Sequence, residues 1–251
     1  MRRRFFVDHF EANSASLRGD AAEHLGRVLR AEPGQLYELS DGRSVWLGRV
    51  RRVALAKSNN SAVDFDLIEP VPAREPALRV HLLLSIAKFD RFEWALEKAT
   101  ELGVDAITPL AAERTDKPLL AAAAKRHARW EKILLESAQQ ARRLRPPVLN
   151  RAIRPAEAFA GANAPLKVLL SERPDAAPIR QALQGAHSKE GALAVGPEGG
   201  WTGGELGAAR SAHFVEASLG ENILRAETAV ISALAILFYA MGGALAPGEP
   251  G

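Results

Sequence analysis

At 251 residues, 47% of them apolar, the chain can bury an ample core in one large or two modest domains. It has no cysteine, which excludes a disulfide framework and any thiolate metal site. The net charge of +3 is modest but uneven, with 11 Lys and Arg against 3 Asp and Glu between Arg114 and Arg154. Arginine supplies 25 of the 33 basic residues. Its planar guanidinium grips phosphate bidentately and stacks on bases, so a polyanion-facing surface is expected.

In chain order, Arg3 to Val7 reads as a strand and Asp20-Ala21-Ala22-Glu23 as a capping box opening a helix to Arg30, with Leu25, Val28 and Leu29 on its buried face. Pro33-Gly34 is a turn. Gln35 to Leu39, an Asp41-Gly42 turn and Ser44 to Ala56 form a hairpin, and Val63 to Ile68 completes a set of short strands that suggests a small barrel. Three prolines between Pro70 and Pro76 mark a linker, so the expected domains are residues 1–72 and 73–251.

Beyond the linker, strands and helices alternate, the pattern of an α/β domain with a mostly parallel sheet. Leu78 to Ile86 is a strand. A second capping box, Asp90-Arg91-Phe92-Glu93, opens a helix that stops at Gly103. Val104 to Leu110 is a strand, and Lys125 to Arg143 a long helix with Trp130, Ile133, Leu134, Ala138 and Ala141 along one side. Three further strands follow: Leu166 to Ser171, Ala192 to Val195, and Phe214 to Leu219. Thr202-Gly203-Gly204-Glu205 caps an intervening helix. The last helix, Thr228 to Met241, is apolar on most sides, which predicts burial all round or a subunit interface, and Gly242-Gly243 stops it. The most apolar stretch, Ala229 to Met241, is shorter than the ~20 residues a membrane span needs. No signal-peptide pattern follows the basic start, so a cytoplasmic location is expected. His9, His24, His81, His127, His187 and His213 have no metal-ligand spacing, and no metal is expected.

The most informative residues are Gly196-Pro197-Glu198-Gly199-Gly200-Trp201 and, downstream, Ser218-Leu219-Gly220-Glu221-Asn222-Ile223-Leu224-Arg225-Ala226-Glu227-Thr228-Ala229. Each follows an apolar strand and leads toward a helix. Glycine-bearing loops at the ends of neighbouring strands can build a small-molecule site from main-chain groups.

These motifs, in this order, resemble the SPOUT methyltransferases, and most closely the RsmE family of 16S rRNA uracil-N3 methyltransferases. Further matching pieces are Arg4-Phe5-Phe6-Val7, His24 to Arg30, Glu97 to Val104 and Glu113-Arg114-Thr115-Asp116-Lys117, so the resemblance spans nearly the whole chain. It implies an α/β fold: a C-terminal SPOUT domain with a deep trefoil knot, plus a small N-terminal PUA-like β-barrel that binds RNA. It implies S-adenosylmethionine as cofactor, 16S rRNA in the assembled small ribosomal subunit as partner, and a homodimer. The implied cofactor residues are Leu170, Ser171, Glu172, Gly196, Pro197, Glu198, Gly199, Ser218, Leu219, Gly220, Ile223, Leu224 and Arg225. Glu198 reads first as a structural residue, a helix N-terminal charge, or as an acceptor of backbone hydrogen bonds that shapes the pocket, and Glu172 as a ribose ligand or a turn cap.

The acceptor implied is N3 of a uridine, which must lose a proton before it attacks. Arg225 fits as a guanidinium that stabilises the resulting anion. Glu227 is a candidate base or a first-turn helix charge. Arg2, Arg3, Arg27, Arg30, Arg114, Arg142, Arg143 and Arg145 are the candidate RNA contacts, with Arg51 and Arg52 beside them; Arg114 faces either substrate or a second subunit. Competing readings are another SPOUT activity, such as ribose 2′-O-methylation, and a non-catalytic RNA-binding protein. A Rossmann-type nucleotide enzyme is disfavoured by the lack of G-x-G-x-x-G after the first strand and of a Walker lysine.

Overall fold

The computed structural model describes residues 3–56, 60–73, 76, 78–186 and 188–241. Arg2, Arg74, Glu75, His187 and Gly242-Gly243 lie outside them. The chain divides into two units, Met1–Glu75 with Ala138–Pro146, and Pro76–Ser137 with Pro147–Gly251.

The first unit is a five-stranded sheet. Its strands are β1 (Arg4–Phe6), β2 (Ser14–Arg18), β3 (Leu36–Ser40), β4 (Val45–Ala54) and β5 (Ala62–Pro70), in the order β1-β3-β4-β5-β2. All ladders are antiparallel except β1 with β3. Phe5, Leu17, Leu25, Leu39, Val50, Val63 and Phe65 form its core. The Asp41-Gly42 turn forms as expected: Asp41 Oδ1 accepts from the Arg43 and Ser44 amides at 2.9 and 2.7 Å, and Gly42 takes φ +82°. Strand β2 escapes sequence reading because its inward residues are only Ala15 and Leu17.

The first predicted capping box does not form. Helix α1 (Gly19–Glu23) starts two residues early, with Arg18 rather than Asp20 at its cap and no side-chain cap bond. Glu23 instead accepts from Ser61 Oγ at 3.2 Å. At His24 the helix widens into a π-turn (His24–Val28), closed by the Leu29 amide donating to the His24 carbonyl at 3.1 Å. The wider turn breaks the 3.6-residue register. Leu25 stays fully buried, but Val28, expected inside, is 66% exposed. Gly26 permits the helix to lie against the end of β4 and beyond, since a Cβ there would fall 2.6 Å from Leu55 Cδ2.

Residues 138–146 are bonded to β1 and β3 through a buried carboxylate. Glu38 Oε2 accepts from Arg4 Nε and Nη2 at 3.1 and 2.8 Å and from Arg142 Nε at 3.1 Å, and Oε1 accepts from Arg142 Nη2. Arg4 Nη1 donates to the Arg142 carbonyl at 2.6 Å, and Ser40 Oγ to the Leu144 carbonyl at 2.6 Å. Burial alone would raise the Glu38 pKa; the bonds and charges of Arg142 and Arg4 outweigh it and hold the carboxyl below its ordinary value.

The second unit is a seven-stranded, wholly parallel sheet. Its strands are β6 (Arg79–Ser85), β7 (Ala106–Leu110), β8 (Val148–Leu149), β9 (Leu166–Leu170), β10 (Ala177–Pro178), β11 (Glu190–Val195) and β12 (Val215–Ser218), in the order β10-β12-β9-β11-β6-β7-β8. Successive side chains feed opposite faces. Leu82, Leu84, Val168, Leu170, Leu193 and Val195 pack on one side with α2 (Phe89–Leu102), α3 (Lys117–Gln140) and α7 (Ala226–Met241). Leu83, Leu169, Ala192 and Ala194 pack on the other with α4 (Pro155–Gly161) and α6 (Gly203–Ser211). This is the layered arrangement that a buried parallel sheet requires.

Helix α6 begins with the predicted capping box and α2 ends at Gly103 with φ +104°. The other helical expectations need correction. The Asp90–Glu93 box does not form, because α2 starts at Phe89 with Lys88 at its cap, and Glu93 accepts from Arg126 at 3.1 Å and Arg129 at 2.9 Å. Helix α3 starts at Lys117 rather than Lys125, because the Ala-rich stretch 121–124 is good helix material. It ends at Gln140, before Arg142 at φ +53°. Helix α7 buries Val230, Ala233, Leu234 and Leu237, yet Tyr239 is 92% exposed, so the described residues do not cover it all round. The short β8, β10, α4 and α5 (Ile179–Ala182) carry too little periodicity to be read.

Replacing Glu38 with Gln leaves two guanidiniums at a buried neutral group and is expected to cost about 3 kcal/mol at pH 7 by urea unfolding. A depressed carboxyl pKa stabilises the fold above the unfolded value, about 4.3, and loses that effect as pH falls through the folded value. The gap between wild type and Glu38→Gln should therefore shrink below pH ~4.3.

Candidate functional site

A cavity of about 600 Å³ opens at the carboxyl ends of β9, β11 and β12. The two glycine-bearing loops do not follow adjacent strands, as the sequence suggested, because β9 lies between β11 and β12. The loop after β9 therefore sits in the middle, and three loops enclose one space. Registers Leu169 with Ala194 and Ala217 with Leu170 bring the strand ends level. The Ser171 amide donating to the Ala217 carbonyl at 2.9 Å continues the ladder into the loop.

All the residues expected to hold a cofactor line this cavity except Gly199. Gly199 lies beside it, and its carbonyl accepts from Arg114 Nη1 at 2.9 Å. A Cβ on Gly199 would fall 3.2 Å from Arg114 Cβ, so a side chain there would push Arg114 aside by a few tenths of an ångström. At Gly220, φ is +136° and the space beside Cα is open, leaving backbone accessible to a ligand. Leu170, Leu219, Leu224 and Ala229 supply apolar lining.

Two residues have larger roles than their motif positions suggested. The Trp201 indole donates from Nε1 to the Leu170 carbonyl at 2.8 Å, linking the loops after β11 and β9. It also occupies the space beside Gly196, where a Cβ would come within 3.0 Å of the ring. Glu205, 8% exposed, uses both oxygens. Oε2 accepts from the Thr202 amide at 2.8 Å to cap α6, and Oε1 accepts from the Glu113 amide at 2.9 Å, holding the segment after β7. Sequence could show the cap, but the Glu113 bond spans 92 residues.

The charged rim contains Arg91, Arg114, Arg173 and Arg225 with Glu172, Glu198 and Glu221. Arg91 pairs with Glu198, and Arg173 forks onto Asp175 at 3.0 and 2.8 Å. Among the described residues, Arg225 has no side-chain hydrogen bond or ion-pair partner. Glu227 does not line the cavity: it lies in the first turn of α7, 6% exposed, with Oε2 lacking a hydrogen-bond partner. No group of three or more potential metal-binding side chains occurs among the described residues.

Of the other expected RNA contacts among the described residues, only Arg114 reaches this cavity. Arg3, Arg27, Arg30, Arg142, Arg143 and Arg145 belong to the first unit. Arg27 donates to the Ala56 carbonyl at 2.9 Å, and Arg142 is engaged by Glu38.

Residues 74–238 match the family model described as an RNA methyltransferase domain, which sets the class of this protein. The chain is 30% identical over 237 residues to ribosomal RNA small subunit methyltransferase E of Mesomycoplasma hyopneumoniae, covering 91% of this chain and 95% of that protein. It is 34% identical to the Synechocystis protein of the same name, covering 84% and 68%. The crystal structure of the Neisseria gonorrhoeae ribosomal RNA small subunit methyltransferase E bound to S-adenosyl methionine superimposes with a TM-score of 0.83 at 30% identity, covering 96% of this chain and 99% of that one. The chain belongs to the ribosomal RNA small subunit methyltransferase E (RsmE) family.

Trp201→Phe keeps the ring but removes the donor to Leu170, and should lower stability by about 1 kcal/mol in thermal or urea unfolding. Gly196→Ala, which drives a methyl against the indole, should match or exceed that loss; unchanged stability in both would show that the link between the two loops carries no energy.

Proposed function

We propose that this protein methylates N3 of a specific uridine in 16S rRNA of the assembled small ribosomal subunit, using S-adenosylmethionine, in the cytoplasm. The observation that carries this reading is the three-loop cavity with the Arg225 guanidinium on its rim. Its volume, apolar side chains and open backbone at Gly220 fit an adenosine-bearing donor. Leu170, Ser171, Glu172, Gly196, Pro197, Glu198, Gly199, Ser218, Leu219, Gly220, Ile223, Leu224 and Arg225 would hold it. When bound, the donor supplies an electrophilic methyl on a sulfonium.

The chain's own contribution is alignment and charge. Rigid placement of two reactants can supply up to ~7–11 kcal/mol of a barrier. Here the loops are fixed by Trp201, Glu205 and Arg114. Arg225, free of competing partners among the described residues, stabilises the uracil anion that forms as N3 loses its proton. Glu227 is buried in the first turn of α7 and does not line the cavity, so it would take that proton through an intervening water.

A paired uridine is out of reach, so the base must be single-stranded or flipped out. The first unit would serve as the PUA-like RNA-binding domain, within residues 1–72, through Arg3, Arg27 and Arg30, helped by Arg142, Arg143 and Arg145; residues 73–251 would be the SPOUT domain. Docking of β12 on the side of β9 away from β11 supports a knotted crossover, and the exposed outer side of α7 at Tyr239 supports a homodimer.

Arg225→Ala should lower kcat about 10²- to 10³-fold, measured as methyl incorporation into small subunits from a deletion strain, while calorimetry still detects donor binding. Mass spectrometry of 16S rRNA from that strain should lack one N3-methyluridine. An unchanged methylation profile would refute the reading.

A further inference from the structure

Arg91 was not among the residues expected at the site, yet it lines the same cavity as Arg114 and Arg225. It lies in the first turn of α2, where a cation opposes the helix dipole, so its position does not serve helix stability. Its partner among the described residues is Glu198 of the glycine-rich loop, and the two side chains are 27% and 44% exposed. Such a solvent-screened pair holds weakly and can be exchanged for a better anion. A phosphate is one, because a guanidinium binds it bidentately with charge-assisted bonds. Helix α2 is itself fixed: Phe92, Ala95, Leu96 and Ala99 are buried in the core.

We infer that Arg91 is a ligand for a backbone phosphate of the RNA substrate, held in reserve by Glu198 and released to the phosphate as the target nucleotide enters. The inference rests on the methyltransferase reading above. It adds an RNA subsite on α2, in the second unit, beside Arg114. Arg114 bonds the next loop residue through the Gly199 carbonyl. When Glu198 gives up Arg91, the glycine-rich loop therefore keeps an anchor, and the donor cradle need not collapse.

The test uses the full-length protein with small ribosomal subunits from a deletion strain. Methylation is followed at several KCl concentrations, and S-adenosylmethionine binding is measured separately by calorimetry. Arg91→Ala should raise KM for the subunits about five- to tenfold, with a smaller change in kcat, and reduce the slope of log KM against log salt by about 1. Donor affinity should change less than about twofold. Glu198→Gln should lower KM for the subunits about twofold, and should lose that effect in the Arg91→Ala background, since the two residues act through one pair. If Arg91→Ala weakens donor binding and leaves the salt slope intact, Arg91 serves the donor or the loop, and the inference is overturned. It is overturned as well if Glu198→Gln raises KM with or without Arg91. Wild-type protein that binds no donor would overturn the underlying reading, and this inference with it.

Discussion

The second unit depends on where β12 docks. It pairs with β9 and not with β11, which precedes it among the long strands. That choice puts the carboxyl ends of β12, β9 and β11 side by side. A parallel sheet leaves the backbone groups at its strand ends unpaired, and here three loops meet to use them. With β12 elsewhere, the two glycine-bearing motifs would remain in the chain but would not share a cavity.

Open loops are entropically expensive to hold, and the structure holds these with few bonds. Trp201 ties the loop after β11 to the carboxyl end of β9, Glu205 ties the start of α6 to the segment after β7, and Arg114 ties that segment to Gly199. Each bond joins a side chain on one segment to backbone on another. The glycines answer different demands: Gly196 makes room for an indole, Gly199 for an arginine stem, and Gly220 takes φ +136° beside open space. The glycine content of the motifs thus has three separate physical causes.

Much of the architecture was legible because burial leaves a period in the sequence. The parallel strands β6, β9 and β11 are near-continuous apolar runs, and the Thr202–Glu205 cap and the Gly103 stop are local chemistry that neighbouring residues decide. Two other apparent caps misled, because capping depends on where the helix starts. Lys88 and Arg18 took those positions, and Glu23 and Glu93 bonded distant partners. Val28 was misplaced because a π-turn has no signature in a 3.6-residue pattern.

The sequence by itself determined the family and the loop segments that supply most of the cavity lining, since these are contiguous segments with local backbone demands. Only the tertiary structure decided that β9 separates the two motif strands, that Arg91 and Arg114 face the same space, and that Glu227 is buried rather than on the cavity wall. Those facts depend on strand order and helix packing between residues tens of positions apart, and no local pattern encodes a pairing of that range.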